Sequence, residues 1–189
     1  REESRDRFLS DDELQKFFTA VSAENAIFRT FFLVALLTGA RRANILEMRW
    51  EELDLSRNVW RIPDTKNGKP VTVPLVPFAI SLLEDLRKAN SSSEWVFPSP
   101  TSATGHLVEP RKAWERILAR SGIDNARIHD LRRTMGSWQA ITGASMQVIG
   151  KSLGHKSQQA TAIYARLSLD PVRAAMEKAT NAMLGVKDG

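Results

Sequence analysis

Two residues in the stretch LGHKSQQATAIYARL carry side chains suited to chemistry: His155, one of three histidines, and, nine positions on, Tyr164, the only tyrosine among 189 residues. Tyr164 reads either as an amphipathic core residue with a satisfied hydroxyl or as an oxygen nucleophile. His155 follows a short predicted helix and reads alternatively as a helix-end cap. In HDLRRT, His129 and Arg132 are three apart on a predicted helix, so both side chains point the same way. That pair also fits an ordinary solvated helix face.

Arg41 lies just beyond Gly39, where a strongly apolar helix stops, so it is expected near the core, where a fixed guanidinium needs an anion. The alternatives are a cation serving the carboxyl end of that helix, or a pair with Glu47 or Glu51. Arg42 beside it is the solvated one. Lys66 precedes an Asn67-Gly68 turn, where a lysine is commonly just a solvated charge, and Lys69 competes for any role.

The elements that must position these residues are mainly helical. Ser10 followed by Glu13 forms a capping-box pattern at the head of DDELQKFFTAV, and AIFRTFFLVALLTG is apolar on nearly every side, which predicts a buried helix ending at Gly39. VWRIP and VTVPL have strand character around the Asn67-Gly68 turn, so a small antiparallel sheet is expected. FAISLLEDLRKA, PRKAWERILARSG, HDLRRTMGSWQAITG, MQVIGKSLG, SQQATAIYARL and PVRAAMEKATNAML all read as helices, the last with Asp170 as cap and Pro171 in its first turn. The fold class is therefore mainly α with a small antiparallel sheet (α+β), in one domain without repeats or interior linkers.

Composition narrows the chemistry. With no cysteine, disulfides, thiolate metal sites and cysteine nucleophiles are excluded. No carboxylate cluster has convincing spacing for two magnesium ions, so no metal or other cofactor is expected. Twenty-seven Lys and Arg against 22 Asp and Glu give a formal net charge of +5, and a pI near 9.8 favours polyanionic partners. The N-terminal residues lack the apolar core of a signal peptide, and the longest apolar run is too short to span a bilayer, so a soluble, cytoplasmic protein is expected.

Taken in order, TGARR, TKNGK, HDLRRT, LGH and the single tyrosine resemble the catalytic domain of the tyrosine recombinases, the phage-integrase family. The shared signature is an arginine, a lysine, a His-x-x-Arg box, a second histidine and a tyrosine. Here these are Arg41, Lys66, His129 with Arg132, His155 and Tyr164, and the step from His155 to Tyr164 matches the family's usual spacing. The resemblance runs from about Phe8 to the final helix, and the flank RRANILEMRWEELDL looks most like prophage integrases. One departure is Asn44, where family members often place an acidic residue; an amide can hydrogen-bond but cannot neutralise charge.

The resemblance implies the tyrosine-recombinase catalytic-domain fold over residues 8–189, with residues 1–7 the end of an interdomain linker and the N-terminal core-binding domain absent. It also implies metal-free, ATP-independent transesterification: Tyr164 attacks a DNA phosphodiester, leaving a 3′-phosphotyrosyl link and a free 5′-hydroxyl. Arg41 and Arg132 would clamp the phosphate, with His155 as a further contact. Lys66 would protonate the leaving oxygen, and His129 would act as acid/base helper or phosphate contact. Expected partners are double-stranded DNA recombination sites, bound weakly and salt-dependently by this domain alone. A homotetramer is expected on DNA and a monomer without it, with accessory DNA-bending or excision proteins, in the bacterial nucleoid. The alternatives are a type IB topoisomerase-like relaxation activity, a catalytically silent DNA-binding module, and a helical scaffold unrelated to DNA.

Overall fold

The computed structural model describes residues 6–63, 70–90, 92–155, 157–167 and 169–184. They fall into two compact units, Arg1–Met135 and Gly136–Gly189. Among them no helix is long and apolar enough to cross a membrane.

The first unit opens with α1 (Asp11–Ser22), started by the predicted box: the Glu13 amide donates to Ser10 Oγ and the Ser10 amide to the Glu13 carboxylate. Helix α2 (Ala26–Thr38) is the apolar one. Phe31, Phe32, Leu33, Val34, Ala35 and Leu36 are all buried, and Gly39 closes it in the left-handed conformation at φ 60°. Aromatic edges then tie α2 to the rest of the unit. Phe31 meets Phe97 at 5.4 Å, and Phe32 meets Trp114 of α5 (Arg111–Ser121) at the same distance.

Polar chemistry reinforces that packing. Glu24, in the α1–α2 connection, is almost fully buried and is held by Arg116 and Arg120 of α5. The hydrogen bond from Arg116 keeps its carboxyl below the ordinary range despite desolvation.

After the short α3 (Arg42–Leu46), the chain builds a sheet in the order β1 (Leu53–Asp54), β2 (Val59–Ile62), β3 (Val71–Pro74), antiparallel throughout. Trp60 pairs with Val73 and both face the core, while Arg61 and Thr72 pair on the open face. The period-two alternation seen in VWRI and VTVP thus holds. Lys66 and the Asn67-Gly68 turn lie outside the described residues. Helix α4 (Pro77–Ala89) follows, with Pro77 in its first turn.

Helix α6 (Ile128–Ile141) starts in the first unit and continues in the second. The second unit adds α7 (Met146–Leu153), α8 (Gln158–Ala162) and α9 (Leu169–Leu184). Two sequence expectations change here. SQQATAIYARL is not one helix: α8 stops at Ala162, and Tyr164 sits in tight turns made by bonds from its amide to the Thr161 carbonyl and from the Leu167 amide to its own carbonyl, both 3.0 Å. Helix α9 begins at Leu169, so Asp170 lies inside its first turn, where it pairs with Arg173.

Candidate active site

Arg132 explains how the first unit assembles its cationic residues. Its side chain is buried, 7% exposed, and Nη1 donates to the carbonyl oxygen of Gly39, 93 residues earlier in the chain. That carbonyl sits at the carboxyl end of α2, where helix dipoles leave negative charge. The cation serving the end of α2 is therefore Arg132, a role the sequence had left open to Arg41.

Arg41 lies two residues beyond that carbonyl, half-buried at the N-cap of α3, while Arg42 is exposed as expected. Among the described residues no ion pair joins Arg41 to Glu47 or Glu51, and no hydrogen bond joins it to Asn44. Backbone holds it instead: its carbonyl accepts from the Ile45 amide at 3.2 Å.

His129 belongs to the same group. The residue is exposed at the start of α6, yet crowding there strips part of its ring's hydration, and the positive charges of Arg132, Arg133 and Arg41 disfavour a further one; only Asp130 acts the other way. The imidazole is thus held below its ordinary value and is neutral near pH 7. Asp130 is almost fully buried and accepts the Arg127 amide at 2.8 Å, which fixes the first turn of α6.

The sign of this shift gives a measurable pH effect. With the folded value below the unfolded one, the unfolded chain binds the proton first, so His129 subtracts stability as pH falls through about 6.5. An NMR titration of the histidine Cε1 protons should place His129 below the free-imidazole value, and Arg132→Ala should move it upward. An unchanged midpoint in that variant would remove Arg132 as a cause.

In the second unit the LGH motif has a plain backbone reason. Gly154 ends α7 at φ 61°, its amide donating to Lys151 at 3.1 Å and the next amide, His155, to Gly150 at 2.8 Å. This 6→1, 5→2 pair is a Schellman ending. Leu153 anchors it in the core at 3% exposure, and His155 is delivered at a fixed angle to the helix end.

The ring of His155 is held as well. Nδ1 is 2.9 Å from Oγ1 of Thr161, and the ring lies parallel to that of Tyr164, 6° apart in plane and 6.4 Å between centroids. Tyr164 itself is 3% exposed.

Five of the six candidate positions are therefore described. Arg41, His129 and Arg132 gather in the first unit, His155 and Tyr164 in the second, and Lys66 lies outside the described residues. Sequence reading did not single out Asp130, Thr161 or Gly136. For Asp130 a signal existed, since Arg127 and Asp130 have capping-box spacing; for Thr161, six residues past His155, there was none.

A mostly helical fold with a three-stranded antiparallel sheet, presenting an arginine-rich His-x-x-Arg helix, is that of tyrosine recombinase catalytic domains. The solved catalytic domain of bacteriophage HP1 integrase matches with a TM-score of 0.68 at 19% identity, covering 96% of this chain and 98% of that one. A XerH site-specific recombinase bound to a palindromic difH substrate matches with a TM-score of 0.75 at 21% identity, covering 94% of this chain and 53% of that one.

The chain belongs to the phage integrase family, whose model matches residues 7–170. Prophage integrase IntF of Escherichia coli (strain K12) is 34% identical over 179 residues, which are 92% of this chain and 38% of IntF. The chain thus spans about two fifths of the length of that relative.

Proposed function

We propose that this chain is the catalytic domain of a site-specific DNA recombinase of the prophage-integrase kind, cleaving and rejoining strands through a 3′-phosphotyrosyl intermediate. What carries the reading is the gathering of guanidinium charge around His129: a buried Arg132 fixed on the Gly39 carbonyl, Arg41 two residues from that carbonyl, and a histidine kept neutral by desolvation first and by these arginines second. Such a group suits a phosphodiester, whose non-bridging oxygens gain charge as phosphorus becomes five-coordinate. Forked, permanently charged donors answer that charge without reorganisation.

Each residue then has a task. Tyr164 Oη forms the new bond to phosphorus as the bond to the 5′-oxygen breaks. Lys66 gives that oxygen its proton, the phenol's own proton passes to solvent or to neutral His129 where it acts as acid/base helper, and otherwise His129 is a phosphate contact. His155, whose ring is steadied through Thr161, is a further phosphate contact. One phosphodiester replaces another, so no ATP, metal or other cofactor is needed, and the phenolate leaves readily in the reverse step.

Residues 8–189 are the catalytic part of a longer recombinase, with residues 1–7 ending a linker to a core-binding domain. Length supports this: the chain is nearly coextensive with the HP1 catalytic domain but covers little more than a third of IntF. A tetramer on DNA and a monomer without it go with the same reading, and α9 supports a contact between protomers. Among its described residues none is buried, and Leu169, Val172, Met176 and Met183 stand exposed at steps of three, four and seven, a stripe that fits a neighbouring protomer. Accessory DNA-bending proteins and a cytoplasmic, nucleoid setting go with the same reading.

The direct experiment is SDS trapping of the chain on labelled nicked duplex in EDTA, followed by peptide mapping. A DNA-linked peptide containing Tyr164, with binding that weakens steeply as salt rises, is the expected result. Relaxation of supercoiled DNA without strand exchange by the full-length protein on its own site would favour the topoisomerase-like alternative. Binding without any adduct there would favour the silent module.

A further inference from the structure

Gly136 lies within α6, buried, and its helical backbone makes no demand for glycine. In that setting glycine is a cost, roughly 1 kcal/mol relative to alanine. The space around it supplies a reason. A Cβ built at Gly136 would lie 2.5 Å from Cζ of Tyr164 and 2.8 Å from both Cε1 and Oη, far inside van der Waals contact. The reacting end of the only tyrosine in the chain therefore rests on the bare backbone of α6.

The same unit uses this device twice. A Cβ at Gly150 would meet Oγ1 of Thr161 at 2.9 Å, and that hydroxyl is the one holding His155 Nδ1. Each glycine clears room beside a group that sets one of the two candidate side chains.

We propose that Gly136 is a positioning residue for the nucleophile: its missing side chain forms the seat in which the Tyr164 hydroxyl docks for attack, and any larger residue displaces it. The proposal rests on Tyr164 being the nucleophile. In Gly136→Ala the ring tip has to retreat by about 1 Å to reach ordinary contact distance near 3.5–4.0 Å. A misplacement of that size costs on the order of a hundredfold in rate. Alanine's helix preference, about 1 kcal/mol, offsets much of the overpacking against the ring, so thermal stability should fall only slightly while cleavage falls steeply, and the unequal sizes separate seating from folding.

The test takes the whole chain as wild type and as Gly136→Ala. Nitration by tetranitromethane reports Tyr164 alone, since no other tyrosine exists. The expected result is nitration faster by about tenfold in the variant as the ring leaves its seat. Alongside it, adduct formation on nicked duplex should slow by about a hundredfold, with DNA affinity at the wild-type level and the melting temperature within a few degrees of wild type. Unchanged nitration overturns the seat, whatever the cleavage rate does. Faster nitration with wild-type cleavage overturns its catalytic importance. If the wild-type adduct maps to another residue, the nucleophile reading fails and the catalytic role of Gly136 with it, while nitration still decides whether Gly136 seats the ring.

Discussion

Tyr164→Phe should abolish covalent capture of DNA while leaving retention on DNA within about twofold of wild type. The argument begins with what the substitution removes, which is one oxygen and nothing of the ring. The ring is 3% exposed and parallel to that of His155, so its packing survives, and the loss of one hydroxyl costs only about 0.5–1.5 kcal/mol of stability. Affinity comes from lysine and arginine contacts to the sugar-phosphate backbone, to which a buried phenol adds little. No thiol and no second phenol can take over the chemical step, since there is no cysteine and no second tyrosine. Adduct yield should therefore fall by at least about ten-thousandfold, as for removal of other nucleophiles that act as part of a unit. A gel of SDS-trapped complexes reads this directly, and adducts that persist in the variant would remove Tyr164 from its role.

Why that tyrosine stood out in the sequence, and why its surroundings did not, follows from the range of the interactions involved. Local rules carried the Ser10–Glu13 cap, the all-sided burial of α2, its stop at Gly39 and the alternation that turns Trp60 and Val73 inward. Each depends on neighbours within a few residues or on one strand period. LGH was legible as a motif, and its physical content is also local, a Schellman ending that needs glycine at one position and then delivers a histidine. The helix expected through Tyr164 failed because long-range contacts override propensity there. Thr161 turns to His155, Tyr164 settles onto Gly136, and the backbone tightens to allow both.

The partner of Arg132 was illegible for the same reason. A carbonyl 93 residues away leaves no trace in sequence, and every residue but proline has the same backbone groups to offer. Asn44 shows the converse. The missing carboxylate raised the question of what holds Arg41, and the answer lies in the helix start of α3 and the neighbouring Gly39–Arg132 link, without any side-chain partner among the described residues.

That link makes Arg132 the residue whose substitution separates structure from catalysis most sharply. Its guanidinium has two jobs in the proposed reaction, one Nη on the Gly39 carbonyl and a grip on the phosphate. Only a planar fork does both at once. Arg132→Ala leaves the end of α2 uncapped and opens a void in a residue that is 7% exposed. Losing a charged hydrogen bond of this kind costs about 1.5–3 kcal/mol, which lowers the melting temperature by roughly 5 °C or more in a chain of this size. Cleavage should be lost with it, but that variant alone cannot separate the two effects. Arg132→Lys can: an ammonium on a long stem reaches the Gly39 carbonyl and restores much of the stability, yet it cannot also grip the phosphate in two places. The expected outcome is a melting temperature near wild type with adduct formation slower by about 10²–10³-fold, the size expected for removing one transition-state donor. Wild-type cleavage by the lysine variant would mean that charge alone suffices, and Arg132 would then be a helix cap that happens to lie beside the site.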